Sequence, residues 1–424
     1  LMGSGSSLVI GPTLFPESGY SPTKSFTPIS LVSHQPFVFG VPTALMTDTL
    51  KDFVALLKAN PGKFNYGSTL TGSPPNLANP PFYRAKAWRI LYATRDYAGR
   101  PVVSSGMVVL SSYASSDPAA RDIVAYAHPT TGIARRCAPT LRQRPVEAIL
   151  GLNELVSRGY VVAATDYPGL GTPGPVGYLV GLGQGRAVID SARAARQIPA
   201  VGGGTRIALW GFSQGAHAVL FAAAIASTYS PELSLVGVAA VAPPTDLRSL
   251  LYADIETVPG RILVAMTLWS WSTKYGAPLA GLIDDEVSEV VREVASNCVD
   301  DLGGKLGAFA SQRPLKKRFL SADPGRVSPW REILASNSIF KLPAGAIAFI
   351  AQGDLDTIVR PETTRRFVIR SCQSGNKVNY AVIKGADHEH SASRAINSAM
   401  TWIVGRFAAN PPPDNCQSTA RPPH

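Results

Sequence analysis

The chain has 424 residues, 45% of them apolar and 16% charged, which allows two or three domains and excludes a wholly disordered protein. The formal net charge is +11, from 40 Lys and Arg against 29 Asp and Glu. The basic residues are scattered, and the longest cluster is Lys316, Lys317 and Arg318. Such a surface favours solubility and does not indicate a nucleic-acid-binding protein.

The sequence contains no apolar run near the roughly 18–20 residues that a membrane-spanning helix requires. Its first residues, LMGSGSSLVIGPTLF, carry no basic stretch before the apolar ones, which is not typical of a secretory signal. The even number of widely separated cysteines favours structural disulfides over buried thiols in a cytoplasmic protein. We therefore expect a secreted or periplasmic protein whose signal peptide is not part of this sequence. The four cysteines are Cys137, Cys298, Cys372 and Cys416.

The first 80 residues are rich in Pro, Ser, Thr and Gly and differ from the rest of the chain. One helix is predicted at residues 47–58, and short apolar runs at 28–32 and 36–39 predict strands. A proline-rich break at residues 73–81 ends this section. We expect residues 1–80 to form an appended N-terminal segment.

From about residue 85 the pattern alternates between strands and helices. Several of the strands are continuous apolar runs, as buried parallel strands require. The alternation predicts an α/β fold with a mostly parallel sheet. Strands are predicted at 88–94, 102–110, 123–127, 160–165, 206–210, 236–242, 346–351 and 378–383, and helices at 145–158, 178–197, 216–227, 361–370 and 391–407.

One stretch, residues 245–340, interrupts this alternation. Its pattern is almost entirely helical, and it lies between two predicted strands. We therefore expect an inserted helical cap, with the core of the fold formed by residues 85–244 and 341–424.

The strongest functional signal is the G-x-S-x-G sequence centred on Ser213. An apolar strand pattern precedes it and an alanine-rich helix pattern comes after it. Gly211 and Gly215 allow a sharp turn on which a strained serine exposes its hydroxyl above the sheet. The N-terminus of the next helix favours developing negative charge. This context predicts a nucleophile rather than an ordinary glycine-rich turn.

A serine nucleophile requires a base and a carboxylate that orients the base. Candidates for both follow the last two predicted strands, Asp354 and Asp356 after the first and His388 and His390 after the second. We predict a triad of Ser213, Asp356 and His388, with Asp354 and His390 as alternatives. A metal at the two histidines is not favoured because no third ligand is evident. The predicted chemistry requires neither a metal nor an organic cofactor.

An oxyanion requires two backbone donors. One is expected from Gln214, the residue after the nucleophile. The second is expected from the loop at residues 127–132, which follows an early strand. Pro129 has no N–H, so the donor there is Thr130 or Thr131.

A second glycine cluster lies at Gly181, Gly183 and Gly185. The dinucleotide-binding pattern requires a glycine where this chain has Arg186, and no apolar strand leads directly into the cluster. We interpret it as a loop entering a helix.

Several stretches together resemble the secretory lipase family, the lipase-A-like α/β-hydrolases of fungi and bacteria. They are YAHPTTG at 126–132 with CAP at 137–139, ATDYPGLG at 164–171, GRAVID at 185–190, the serine motif at 209–218, and residues 352–359. The resemblance implies an α/β-hydrolase fold, an ester hydrolase with an inserted cap, and the triad of Ser213, Asp356 and His388. It also implies a disulfide between Cys137 and Cys298. For the remaining cysteines we predict a Cys372–Cys416 bond that anchors the proline-rich tail.

The cap is expected to control substrate size. Residues 262–271 are apolar nearly all round, which suits burial against both the core and an acyl chain. Trp269 and Trp271 are the candidates to line the pocket. The alternative is a simple core helix of the cap.

Residues 27–32, 35–38 and 50–67 resemble part of a periplasmic solute-binding protein of the tricarboxylate-transport receptor type. Such receptors close two lobes around a ligand, and only the middle of one is present here. We expect a fused remnant that does not bind a ligand.

The sequence thus predicts a carboxylic ester hydrolase that acts on a small-molecule or lipid ester through an acyl-enzyme. A serine peptidase or acyltransferase on the same fold is the alternative, because a triad does not select the leaving group. A non-enzymatic solute-binding protein is less favoured, because the triad candidates occur in the required order.

Overall fold

The computed structural model describes residues 66–69, 85–299, 315 and 319–419. Within these residues the chain forms one nine-stranded sheet with helices on both faces. The strands are β1 (Tyr66–Thr69), β2 (Ala85–Arg95), β3 (Pro101–Ser111), β4 (Ile123–Ala127), β5 (Val161–Thr165), β6 (Arg206–Phe212), β7 (Ser234–Val241), β8 (Ile347–Gly353) and β9 (Lys377–Ile383).

The sheet has the strand order β1-β2-β3-β5-β4-β6-β7-β8-β9. The pairs β1–β2, β2–β3 and β3–β5 are antiparallel, and every later pair is parallel. The carboxyl ends of β4 to β9 therefore lie along one edge, where ligands bind in open α/β sheets. The eight strands that the sequence predicts are β2 to β9, so the α/β prediction is confirmed.

The central strands are buried on both faces. All five residues of β4 are buried, as are all five of β5. Alternate residues of β4 enter opposite cores: Ile123 and Ala125 pack in one apolar cluster, and Val124 and Tyr126 pack in the other. This alternation arises because successive side chains of a strand point to opposite faces. Continuous apolar runs are thus what a sheet covered on both sides requires.

Helices cover both faces of the sheet. They are α1 (Leu152–Ser157), α2 (Gly181–Gln197), α3 (Gln214–Tyr229), α4 (Leu247–Asp254), α5 (Val258–Tyr275), α6 (Asp285–Ser296), α7 (Trp330–Ser336), α8 (Pro361–Gln373), α9 (His388–Phe407) and α10 (Cys416–Thr419).

Two helix predictions require correction. The helix expected at 145–158 is a short 3-10 turn, Pro145–Ala148, and then α1, because Gly151 between them has a left-handed φ of 73°. The glycine cluster at 181–185 is not a loop but the beginning of α2. A Cβ at Gly181 would lie 2.4 Å from the Phe221 ring, and one at Gly185 would lie 2.7 Å from the Ala222 nitrogen. These glycines therefore allow α2 to pack closely against α3.

The stretch between β7 and β8 contains α4, α5, α6 and α7, as expected for an inserted helical cap. Asn337, just after α7, holds the cap to the core. Its side-chain oxygen accepts the N–H of Gly181 at 2.9 Å, and its carbonyl oxygen lies 2.8 Å from the His217 Nε2.

Both predicted disulfides are present. Cys137, in the segment after β4, is bonded to Cys298 of the cap. Cys372 of α8 is bonded to Cys416 of α10, which anchors the C-terminal segment. No cysteine is left as a free thiol among the described residues.

The sheet begins within the section that the sequence assigns to the N-terminal segment. Residues 66–69 form β1, the edge strand, which pairs with Trp88–Leu91 of β2. The predicted helix at 47–58 and the predicted strands at 28–32 and 36–39 lie outside the described residues.

This edge pairing predicts that two truncations will differ. A chain lacking residues 1–65 keeps β1, whereas a chain lacking residues 1–84 leaves the outer edge of β2 unpaired, and unpaired edges promote aggregation. We expect the chain that lacks residues 1–65 to keep ester turnover within a few-fold of the parent. The chain that lacks residues 1–84 should have a lower melting temperature and form larger species in size-exclusion chromatography. A folded, monodisperse shorter truncation that lost an order of magnitude in turnover would mean that residues 1–65 shape the active site.

Candidate active site

The predicted nucleophile lies on a strained turn between β6 and α3. Ser213 has φ 54° and ψ −120°, a conformation that L-residues rarely adopt. Its N–H donates to the carbonyl of Val241 at 2.9 Å, which ties the turn to the end of β7. A Cβ at Gly215 would lie 1.9 Å from the Ala127 carbonyl oxygen, and one at Gly211 would lie 2.4 Å from the Gly215 backbone. Both motif glycines are therefore required by close backbone packing.

Three side chains from separate strand ends form a continuous hydrogen-bonded chain. The His388 Nε2 lies 2.9 Å from the Ser213 Oγ, and its Nδ1 lies 2.8 Å from the Asp356 Oδ2. Ser213 follows β6, Asp356 follows β8, and His388 begins α9 after β9. The aspartate side chain is fully buried, whereas the histidine side chain is 16% exposed. This geometry matches the spacing that a nucleophile, a base and an orienting carboxylate require.

The Asp356 carboxylate is surrounded by donors. Its Oδ1 accepts the N–H groups of Ile358 and Val359, each at 2.9 Å, and its Oδ2 accepts the Gln352 side-chain amide at 3.0 Å. The Gln352 side-chain oxygen in turn accepts the Thr364 hydroxyl at 2.7 Å. These bonds hold the carboxylate in one orientation toward the imidazole. Gln352 is not among the site residues predicted from sequence, although a polar residue at the end of a buried strand next to the acid was a usable signal.

The two alternative residues have other partners. Asp354 accepts the Gly385 N–H at 2.7 Å and lies 3.5 Å from the Lys384 ammonium, so it joins the loop after β8 to the loop after β9. His390 is exposed, and its Nδ1 lies 2.7 Å from the Asp387 carboxylate. Neither is hydrogen-bonded to Ser213.

The loop after β4 is held in place from several sides. The Tyr167 hydroxyl donates to the His128 carbonyl at 2.9 Å, and the Val299 N–H donates to the Thr131 carbonyl at 3.0 Å. The Thr130 hydroxyl lies 3.2 Å from the Tyr178 hydroxyl. In contrast, the Thr131 hydroxyl is buried without a hydrogen-bond partner. An unpaired buried hydroxyl beside a cavity is available to a ligand.

Two cavities meet at Ser213. The wider one has a volume of about 470 Å³ and is lined by His388, Thr130 and Thr131. The narrower one has a volume of about 50 Å³ and is lined by Gln214 and by mostly apolar side chains of the cap. Ser213 therefore borders two cavities of different size.

The two tryptophan candidates are placed differently. Trp271 lines the narrow cavity, is 1% exposed, and donates its indole N–H to the Tyr178 carbonyl at 2.9 Å. Trp269 is partly buried against the same apolar cluster and lines neither of the two cavities.

His217, one turn into α3, is fully buried and packs against the Phe221 ring at 4.8 Å between centroids. Burial lowers the pKa of its imidazole to about 4. It is therefore neutral at neutral pH and serves as a packing residue between the serine helix and the cap.

Within the described residues, no group of three or more His, Cys, Asp or Glu side chains is arranged to hold a metal ion. Likewise, none of the described helices has the length and apolar character that a bilayer crossing demands.

A serine on a strained strand–helix turn, with a histidine and an aspartate from later strand ends, on a mostly parallel sheet, defines an α/β-hydrolase. Residues 145–415 match the secretory lipase family, and the chain belongs to that family. It is a lipase-like hydrolase. Residues 1–93 match the tripartite tricarboxylate transporter family receptor.

Similar proteins include lipases and an esterase. Lipase 9 of Candida albicans is 27% identical over 365 residues, covering 79% of this chain and 76% of that protein. The X-ray structure of Candida antarctica lipase A has a TM-score of 0.68 at 18% identity and covers 83% of each chain. The rice cell wall degrading esterase LipA from Xanthomonas oryzae has a TM-score of 0.61 at 19% identity, covering 77% of this chain and 88% of that one.

The buried His217 predicts a pH dependence of stability. Its folded pKa of about 4 lies below the ordinary 6.5, so the unfolded chain binds a proton between these values that the folded chain does not. The contribution of the neutral His217 to the free energy of unfolding is therefore complete above pH 6.5. It is lost as the pH falls toward the folded pKa of about 4, by about 3 kcal/mol at most.

We expect the free energy of unfolding to fall less steeply over this interval in His217→Gln than in the parent, as measured by denaturant titration at several pH values. His390→Gln, which changes an exposed imidazole, is the matched control and should behave as the parent does. Equal slopes for the parent and His217→Gln would contradict the prediction.

Proposed function

We propose that this protein hydrolyses carboxylic esters through an acyl-enzyme formed on Ser213. The observation that carries the proposal is the continuous chain of hydrogen bonds from the Ser213 hydroxyl through His388 to Asp356, with distances of 2.9 and 2.8 Å. An isolated serine hydroxyl is a weak nucleophile, and an adjacent oriented imidazole activates it.

In the acylation step, the Ser213 oxygen attacks the ester carbonyl carbon while its proton moves to the His388 Nε2. The tetrahedral intermediate collapses, the bond from carbon to the alcohol oxygen breaks, and the same proton passes to the leaving alcohol. Water then repeats the sequence on the acyl-enzyme and releases the carboxylic acid and free serine. Asp356 stays ionised and stabilises the imidazolium in both halves of the reaction.

The oxyanion would be held by the N–H of Gln214 and by the loop after β4. Gln214 is the first residue of α3, and the first N–H groups of a helix have no partner within the helix. The second backbone donor is the N–H of Thr130 or Thr131. The Thr131 hydroxyl has no hydrogen-bond partner and would add a side-chain donor, whereas the Thr130 hydroxyl lies 3.2 Å from that of Tyr178. Donors directed at the developing charge supply much of the rate in acyl transfer.

The substrate class is a small-molecule or lipid ester. The similar proteins are lipases and an esterase, which favours an ester over an amide substrate. A secreted or periplasmic location is supported by the family and by the two disulfides, since disulfides persist in oxidising compartments.

The central test is Ser213→Ala. The variant should fold as the parent does, as judged by its melting temperature, and should lose at least about a thousandfold in turnover of a short-chain ester. The parent should also be labelled by a covalent serine probe, and Ser213→Ala should not. Undiminished hydrolysis by folded Ser213→Ala would overturn the proposal.

The choice of acid is tested by a matched pair of aspartates. Asp356→Asn should lower turnover by about 10⁴-fold, because an amide favours the wrong imidazole tautomer. Asp354→Asn keeps an oxygen that accepts the Gly385 N–H and loses only an exposed ion pair, so turnover should change little. A larger loss in Asp354→Asn than in Asp356→Asn would assign the acid to Asp354.

A further inference from the structure

An acidic side chain faces the narrow cavity beside the nucleophile. Asp254, the last residue of α4, lines this cavity and is 8% exposed. Its carboxyl Oδ1 is buried without a hydrogen-bond partner. The walls around it are otherwise mostly aliphatic, with Leu247, Leu250, Leu251 and Leu263 among them. A polar group left unpaired in such surroundings lowers stability unless a ligand completes its hydrogen bonds.

Asp254 is held rigidly by its backbone. Its carbonyl accepts the Thr257 N–H at 3.0 Å, and a Cβ at Gly260 would lie 2.1 Å from the same oxygen. The first turn of α5 is thus pressed against this residue. A side chain on so constrained a backbone has little room to leave the cavity.

The Asp254 carboxyl is largely uncharged at neutral pH. Burial raises its pKa to about 8, the nearby Asp356 acts in the same direction, and Arg360 opposes the shift. A neutral carboxyl both donates and accepts a hydrogen bond. Its best partner is therefore an uncharged group that also does both, which is a hydroxyl.

The arrangement of the two cavities indicates which part of the ester reaches Asp254. His388 lines the wide cavity and not the narrow one. Because its Nε2 delivers the proton to the leaving alcohol, the alcohol belongs in the wide cavity. The acyl part then extends past Ser213 and Gln214 into the narrow cavity.

We propose that Asp254 is a specificity-determining residue that selects short acyl groups carrying a hydroxyl. This inference rests on the proposed esterase function and adds the acyl class to it. A water site needs about 10–15 Å³, so a cavity of about 50 Å³ accepts roughly three to five groups of that size. That matches an acyl chain of about four carbons with its hydroxyl at or near the far end.

The test compares esters that differ by one hydroxyl. Ethyl 3-hydroxybutanoate and ethyl 4-hydroxybutanoate are each paired with the ester that has a methyl group in place of the hydroxyl, ethyl 3-methylbutanoate and ethyl pentanoate. Values of kcat/KM for the full chain are corrected for the enzyme-free rate and divided by the hydroxide-catalysed rate of each ester. The parent should favour at least one hydroxy ester by about tenfold or more, since a site built to bond a hydroxyl rejects the analogue lacking it.

Three variants separate the role of Asp254 from general effects. Asp254→Leu should abolish the preference and raise activity on the methyl analogues, whereas Asp254→Asn, which still donates and accepts, should retain it. Thr267→Val is the matched control from the same wall and should leave the ratio unchanged, because the Thr267 hydroxyl already bonds the Leu263 carbonyl at 2.8 Å.

The outcomes distinguish the two proposals. A parent that hydrolyses the methyl analogues and shows no hydroxyl preference overturns the role of Asp254 and leaves the esterase function standing. A parent that hydrolyses only longer-chain esters overturns the selection of short acyl groups, and one that hydrolyses no ester of any chain length contradicts the esterase function itself. A stronger preference for ethyl 3-aminobutanoate, which carries an ammonium group, would overturn the hydroxyl assignment. If Asp254→Leu fails to fold, the parent ratio can still overturn the proposal, because a ratio near one excludes selection of the hydroxyl.

Discussion

The contact on which the site depends is that between Gly215 and the carbonyl of Ala127. A Cβ at Gly215 would lie only 1.9 Å from that oxygen, so the start of α3 lies directly against the end of β4. Ser213, two residues before Gly215, has a positive φ, and the loop after β4 begins directly after Ala127. Only a glycine fits where two backbone segments approach this closely. The contact therefore positions Ser213 and the loop after β4 relative to each other.

Two buried carboxyl groups near the nucleophile show how environment assigns different roles to the same side chain. Asp356 accepts two backbone N–H groups and a side-chain amide, and these bonds fix the orientation of its carboxylate toward His388. The Asp254 Oδ1 receives no such bond, and burial raises the pKa of its carboxyl to about 8. The charge on the first makes ionisation of the second still less favourable. One acid can therefore serve catalysis while the other remains neutral for recognition.

The residues of the predicted triad were accessible from sequence because each follows a buried parallel strand, and such strands end at one edge of a sheet. The strands could be predicted from the apolar runs alone. The disulfide between Cys137 and Cys298 was implied by the family resemblance. Other features depended on contacts between distant segments. The apolar pattern predicts a helix at 178–197 that includes the glycines at 181–185, but their close contact with Phe221 and Ala222, which no local pattern contains, explains why they are glycines. Asp254 is likewise an ordinary helical acid in the sequence, and only the packing of α5 against the end of α4 shows that it is buried at a cavity.

The attachment of the cap explains how acyl specificity can vary without disturbing the triad. Asn337 joins the cap to α2 and, through His217, to the serine helix, while Cys298 and Val299 join it to the loop after β4. The residues that make these connections do not line the narrow cavity. Cavity-lining residues of α4 and α5 that make no such connection, Leu250 and Leu263 among them, can therefore change size and polarity while the cap keeps its position, whereas Trp271 also bonds the Tyr178 carbonyl. In its proposed role, the acid at the end of α4 is one such change, because it would select the acyl group without moving Ser213 or His388.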